Sequence, residues 1–591
     1  MKLRKLLRIT VFTLIILSLI SYFYFIWPLW GYPSQKQRHG NPPLTPAWAL
    51  ECWLWEDDVN TRERVEELLA GYREHDIPVR TILIDSPWSL RYNDFEVDES
   101  RYPDPADFFS RLDSLEYRVV LWMTTMVDSY SKDTELQESE EWFEKAKASG
   151  YLVAEGEQNK WWKGKGGFID YTNPEAMKWW RGMQKPIFDY GIDGWKLDGT
   201  ATLFWKQVGP IPFFYKKTST GIMTTRQYMD HYYRDEYVHG LSQNPEFVTL
   251  SRSMDRGFHP EGFAPIDAAP VTWVGDQRHS WESSGNQASI NPEEKVDLVM
   301  DGIEGIEMAI ENILASAEIG YNIIGSDVAG FSGSTIPPRL YIRWAQFSAF
   351  CGLFLNGGHG ERALWKRSEQ ELEIIREYSW LHTEMIPYMY SYVVQGHQGG
   401  PVLQKPIKGK YQYLFGENLL IAPIYKDELE REIILPEGKW RYWFDDKGIL
   451  EGSQSFTKSF PLDEYPVFIR EGAIIPMHIK RAYTGLGDST YQGVTTWLLY
   501  PEGEQSFSIF DQKDQEETKL EFKDGEDKLQ ISFSGKLEPH ILRIHLEQTP
   551  KQILIDDSPP AADVEIMYES ASRKLIIKNR NYMGGSYDIL K

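Results

Sequence analysis

GIDGWKLDG, residues 191–199, contains a short strand candidate, Gly194–Leu197, that ends on a carboxylate, Asp198, followed by a glycine. With the two-residue period of a strand, Lys196 and Asp198 point to the same side. The same grammar recurs outward in both directions. Ala47–Leu54, Val79–Ile84 and Arg118–Met123 precede it, and Phe247–Leu250, Val271–Val274, Tyr321–Gly325 and Cys351–Leu355 follow. Amphipathic stretches such as Thr61–Glu74 and Ile303–Ile319 separate several of these runs. Eight strand candidates alternating with helices specify an α/β architecture and predict a (β/α)8 TIM barrel.

In such a barrel the C-terminal strand ends carry the site. Asp85 ends the second candidate and Asp198 the fourth. Arg252 follows the fifth, Asp276 the sixth, Asp327 the seventh and His359 the eighth. One Asp after a strand is usually a helix cap or turn residue. Six polar ends obeying one rule point to a site. Asp198 and Asp276 belong to strands two apart, which lets them face each other. Glycosidic bond cleavage needs two carboxyl groups, one at the anomeric carbon and one to protonate the leaving oxygen. Lys196 serves either as a structural ion pair or as a cation that keeps Asp198 ionised and binds hydroxyls.

The chain has 591 residues, enough for a large barrel with satellite domains. From about Tyr388 short alternating segments broken by Gly, Pro and Asp replace the α/β pattern (Tyr411–Leu414, Leu419–Ile424, Glu432–Leu435, Trp440–Phe444, Val467–Arg470). The expected organisation is a barrel over 47–387, a proximal β-sandwich over 388–481 and a distal β-domain over 482–591. Aromatic residues make up 14%, suited to stacking on the apolar faces of sugars. The net charge of −24 argues against nucleic acid or an anionic membrane surface as main partner. Cys52 and Cys351 read as two buried thiols, and no metal or cofactor motif is present.

Lys2, Arg4, Lys5 and Arg8 precede an uncharged run from Ile9 to Trp30. Its length predicts an uncleaved signal anchor over 1–30, a transmembrane helix that holds the catalytic domain on the extracytoplasmic side of a membrane. A cleaved signal peptide, giving a secreted or periplasmic protein, is the competing expectation. Residues 31–46 are polar and proline-rich and read as a linker.

Several motifs together resemble glycoside hydrolase family 31, the retaining α-glycosidases. They are PAWALECWLWE (46–56), IPVRTILID (77–85), FIDYTNPEAMKWW (168–180), DGWKLDG (193–199), SRS (251–253), WVGDQ (273–277), GYNIIGSDVAGFSG (320–333) and YIRWAQFSAF (341–350). FGENLLIAPIY (415–425) and EYPVFIREGAIIPM (464–477) extend the resemblance into the C-terminal part. It implies Asp198 as the nucleophile of a double displacement and Asp276 as the acid/base, with retention and carboxyl groups about 5–5.5 Å apart. Arg252 and His359 then hold hydroxyls of the bound sugar, and Asp85 is another hydroxyl-binding carboxylate. Trp122 is a substrate-binding residue, and Trp273 and Trp281 wall the pocket. Asp327 either binds substrate or supports the turn.

Two departures separate this chain from the family pattern. Thr200 stands where many members carry a Glu, and only the anchor and linker precede Pro46, where members carry a β-sandwich. The long segment from Gly199 to Pro245, with Phe204, Trp205, Phe213, Phe214 and Tyr215, is expected to supply the missing wall or to be a surface insertion. The WKLD arrangement is also similar to that of α-galactosidase-type barrels. The implied substrate is therefore an oligosaccharide or glycoside with a terminal α-galactoside, α-glucoside or α-xyloside. Arg278 and His279 would add positive charge near Asp276. The rival reading is a membrane-tethered carbohydrate-binding protein with a degenerate barrel.

Overall fold

The computed structural model describes residues 2–23, 40–132, 139–199, 206–208, 211–213, 215–254, 262–281, 305–333, 335–580 and 585–591. Eight short strands form one sheet: β1 (Trp53–Leu54), β2 (Thr81–Ile84), β3 (Arg118–Met123), β4 (Gly194–Leu197), β5 (Val248–Arg252), β6 (Val271–Trp273), β7 (Ile324–Gly325) and β8 (Leu355–Asn356). Their order is β7-β6-β5-β4-β3-β2-β1-β8, the succession of a (β/α)8 TIM barrel. β8 pairs in parallel with β1, and a parallel bridge between Asp327 and Leu355 joins it to the residues after β7. Every expected strand is present, several of them shorter than the apolar run that announced them. Ala47–Leu50, for example, is a 3-10 turn leading into β1.

The chain divides into two compact units. The first comprises Met1–Pro43, Val59–Glu66 and Ile82–Thr272. Here β4 pairs in parallel with β3 and β5, with Gly194 opposite Val120 and Val248. All four β4 residues are buried, as befits a strand covered on both faces. A Cβ at Gly194 would lie 2.7 Å from the Val248 carbonyl oxygen and 3.0 Å from Val120 Cγ2, so only glycine lets the three strands approach this closely. Helix Pro174–Asp189 begins where Asn173 accepts hydrogen bonds from the N–H groups of Glu175 and Ala176. Helix Thr225–Gln243 begins with a capping box between Thr224 and Gln227. After β3 the chain makes an excursion. Strands Met126–Ser131, Gly164–Phe168 and Asn159–Trp161 form a three-stranded antiparallel sheet, beside helix Ser139–Ala148.

The second unit comprises Leu44–Asp58, Glu67–Thr81 and Trp273–Lys591. It holds β1, β7, β8 and the buried helices Gly305–Ile319 and Pro338–Ser348. Beyond helix Ile386–His397 the chain is β: a six-stranded and a two-stranded antiparallel sheet over 404–470, then two five-stranded sheets over 474–590, antiparallel but for the parallel pair Thr495–Leu499 with His540–His545. Alternate residues are buried in Glu430–Leu435 and Lys528–Gly535, the period that marked this region as β. Cys52 and Cys351 are buried free thiols.

The N-terminus corrects the sequence reading. The helix there spans Lys2–Ser21 and includes the four cations. Its uncharged part, from Ile9, rises only about 20 Å, against about 30 Å of bilayer hydrocarbon. Among the described residues no helix is long and apolar enough to cross a membrane, so the signal anchor, the membrane partner and the membrane-anchored location are not supported. Residues 24–30, which completed the apolar run, lie outside the described residues. So do Thr200, Phe204, Trp205 and Phe214. From the long segment after β4, Lys206–Val208 pairs with Ile211–Phe213, and Tyr215–Thr218 with Gly221–Thr224.

Candidate active site

In the first unit, four adjacent strands place five of the expected residues together. β4 carries Lys196 and is followed by Asp198, β2 is followed by Asp85, β3 carries Trp122 and β5 ends at Arg252. Arg252 donates to Asp198 Oδ1 through Nε at 2.9 Å and Nη2 at 2.8 Å. Trp122 Nε1 donates to the other oxygen, Oδ2, at 3.3 Å. Lys196 Nζ donates to Asp85 Oδ2 at 2.7 Å, and the Ser86 N–H donates to Asp85 Oδ1 at 2.7 Å. The backbone below is equally determined. The Asp198 N–H bonds the Met123 carbonyl, and the Asp198 carbonyl accepts from Thr124 Oγ1 at 2.8 Å.

Asp198, Asp85 and Lys196 are 8%, 5% and 4% exposed. Burial alone would push the Asp198 carboxyl up. The charges of Arg252 and Lys196, with hydrogen bonds from Arg252 and Trp122, reverse this and hold it below the ordinary carboxylate range. Asp198 is therefore an ionised carboxylate out of bulk water. One oxygen is loaded by a guanidinium, and the other takes a longer bond from an indole. That is the state required of a carboxylate that attacks an electrophilic carbon.

Sequence reading missed Trp161. Its ring stacks on Trp122 at 6.3 Å between centroids and 12° between planes, and Tyr92 packs edge-on against both. Trp161 comes from the excursion after β3, and its only sequence signal was the unusual WWKGKGGF run (161–168).

In the second unit, Asp276 is half-buried in the loop after β6. The next residue staples that loop to the turn after β7: the Gln277 carbonyl accepts from the N–H groups of Phe331 at 2.7 Å and Ser332 at 3.1 Å. Asp327 is 1% exposed, and its backbone closes that same turn, its carbonyl accepting from the Gly330 N–H at 2.9 Å. Trp273 is fully buried and Trp281 half-buried. His279 Nδ1 bonds the Ala329 carbonyl at 2.7 Å, and burial, with Arg362 nearby, lowers its pKa to about 4. His279 is thus neutral at ordinary pH and brings no positive charge beside Asp276, contrary to expectation.

His359, after β8, packs on Phe331 at 4.8 Å, which in turn stacks on Trp55 at 5.7 Å. Its Nδ1 lies 2.8 Å from Asp58 Oδ1 and its Nε2 3.5 Å from Asp57 Oδ2. Burial opposes charge on His359, but the bond to Asp58 and the two carboxylates raise its pKa above the ordinary value. Asp58 is correspondingly lowered, chiefly by His359, and also accepts from the Gly360 N–H at 2.9 Å. These acids follow β1 in Trp-Glu-Asp-Asp (55–58), a strand end for which the sequence had suggested no candidate. Among the described residues no cluster of His, Cys, Asp and Glu is arranged to hold a metal ion.

Comparison with known proteins agrees with this architecture. A family model described as the glycosyl hydrolases family 31 TIM-barrel domain matches residues 42–290 and 299–392. A second, the glycosyl hydrolase family 31 C-terminal domain, matches 401–475. An alpha-xylosidase of Emericella nidulans is 27% identical over 470 residues, 75% of this chain and 54% of its own length. Alpha-glucosidase 2 of Bacillus thermoamyloliquefaciens is 26% identical over 505 residues, 79% of this chain and 59% of its own length. The chain thus spans little more than half the length of these relatives. Among solved structures, a cycloalternan-forming enzyme from Listeria monocytogenes, in complex with a pentasaccharide substrate, superposes with a TM-score of 0.79. The match is at 19% identity and covers 94% of this chain and 55% of that one. At that identity the likeness bears on fold alone.

Proposed function

Because the chain belongs to glycosyl hydrolase family 31, we propose that it is a retaining α-glycoside hydrolase that releases a terminal α-linked sugar by double displacement. The observation that carries this reading is Asp198 itself, a buried carboxylate kept ionised by Arg252 and Lys196. In the first step Asp198 Oδ2 forms a bond to the anomeric carbon as the glycosidic C–O bond breaks. Asp276 gives its proton to the departing oxygen. In the second step Asp276 takes a proton from water, the water oxygen bonds the anomeric carbon, and Asp198 leaves as a carboxylate. Two inversions give net retention.

Arg252 restrains the nucleophile and, on this reading, binds a sugar hydroxyl as charge leaves Asp198. His359, an imidazolium between two carboxylates, and Asp85 with Lys196 are further candidates for hydroxyl recognition. An α-glucoside or α-xyloside accords with the named activities of the relatives, and an α-galactoside with Lys196 before the nucleophile.

A panel of aryl α-glycosides tests the proposal, with the anomer of the released sugar followed by NMR. Release with retention, lost in Asp198→Ala, is the expected result. Release unaffected by Asp198→Ala, or an inverted product, would overturn it.

A further inference from the structure

We propose that Asp128 is the positioning residue of the aromatic wall beside the nucleophile, fixing the Trp161 indole flat against Trp122. The inference rests on reading Asp198 as the nucleophile. Asp128 has no exposed surface, and its Oδ1 accepts from Trp161 Nε1 at 2.9 Å. Ser131 Oγ donates to its other oxygen at 3.4 Å. The line continues without a break: Trp161 stacks on Trp122 at 6.3 Å, and Trp122 Nε1 donates to Asp198 at 3.3 Å.

The local backbone is shaped to permit this. The pairing of Met126–Ser131 with Gly164–Phe168 shifts register between Asp128 and Tyr130, and Gly166 lies opposite Asp128. A Cβ at Gly166 would lie 2.8 Å from Asp128 Oδ1 and 2.3 Å from the Val127 carbonyl oxygen, so the carboxyl can reach Trp161 only over a glycine. A leucine would fill the same volume without the cost of burying a carboxyl. What an acid adds is direction, since an acceptor at one point on the indole edge fixes the plane of the ring. Burial, with Asp94 nearby, pushes the Asp128 carboxyl well above the ordinary range, and either protonation state offers an oxygen to the indole. The stack so held keeps the Trp122 indole edge against Asp198, the carboxylate at which the proposed sugar is seated.

The test compares Asp128→Ala, Asp128→Asn, Trp161→Phe and the Asp128→Ala/Trp161→Phe double variant, with 15N-indole NMR beside kinetics. Asp128→Ala should lower kcat/KM about 10- to 100-fold, mainly through KM, because the wall is free to turn. Asp128→Asn retains the acceptor and should stay within about 3-fold of wild type. The double variant should be no worse than Trp161→Phe, since the two residues act through one bond. The Trp161 indole resonance, identified by its loss in Trp161→Phe, should move in Asp128→Ala and hold in Asp128→Asn. Additive losses, wild-type kinetics in Asp128→Ala, or an unmoved resonance would overturn the proposal. The spectrum needs no turnover. A moved resonance in a protein that hydrolyses no α-glycoside would leave the clamp standing and refute the hydrolase reading instead.

Discussion

At the strand ends of the barrel, Arg252 and Lys196 face Asp198 and Asp85. In the C-terminal sheets, Arg441 and Lys574 face Glu471 and Asp446. Both clusters set two cations against two carboxylates in buried or half-buried positions, yet they behave differently. In the sheets, Lys574 and Tyr500 both donate to Asp446, Arg441 pairs with Glu471, and Arg441 Nη1 lies 3.1 Å from His545 Nε2. Burial lowers Lys574 to about 8 and, aided by Lys574 and Arg441, lowers His545 to about 3. Every strong group there is turned on another protein group, as in a structural staple. At the barrel, Arg252 converges on a single oxygen of Asp198 and leaves the second with a 3.3 Å indole bond. Buried charge by itself does not distinguish a catalytic cluster from a structural one. On the proposed reading the difference lies at the second oxygen of Asp198, which takes a long bond from an indole instead of a charged partner.

That contrast can be put to the test at several points. The largest effect is expected for Asp198→Ala, a loss of at least about 10⁴-fold in kcat with folding intact, measured on any aryl glycoside the wild type cleaves. Lys574→Met should do the reverse. It strands a buried Asp446 and lowers stability by about 3 kcal/mol, read from urea midpoints, while kcat/KM stays at wild type. A loss of activity without loss of stability would erase the proposed difference between the clusters.

Arg252→Met should cost about 10²-fold in kcat/KM. It also removes the strongest influence opposing burial at Asp198, so the nucleophile's pKa rises and the acidic limb of the pH–rate profile moves to higher pH. An unmoved limb would show that Arg252 does not hold the nucleophile ionised.

The smallest effect belongs to Asp58→Asn, which removes the main support for charge on His359 and should lower its pKa, followed by imidazole NMR. A raised histidine pKa stabilises the fold fully below the ordinary histidine value, and that stability is lost as pH rises through the folded value. Wild-type stability should therefore fall across that window, and the Asp58→Asn protein should fall less.

Much of the barrel is legible in the sequence. The eight apolar runs, six of them followed by a polar residue, carry it, because parallel strands covered on both faces must be short and apolar and their C-terminal ends must face the site. Gly194 and the alternation in Lys528–Gly535 are local consequences of strand packing. At the N-terminus the sequence reading counts uncharged residues through Trp30, whereas the described helix is Lys2–Ser21 and includes the four cations.

The order of elements, the strand-end residues Asp85, Asp198, Arg252, Asp276, Asp327 and His359, and the family resemblance all belong to the sequence alone, since each is written in neighbouring residues and their periodicity. Which charges meet is settled in three dimensions. Lys196 pairs with Asp85, 111 positions away, His359 with Asp58 across 301, and Trp161 reaches Asp128 across 33 through a glycine opposite the acid. Such partners are chosen by the closure of strands and the turning of loops, over distances at which no residue constrains another along the chain.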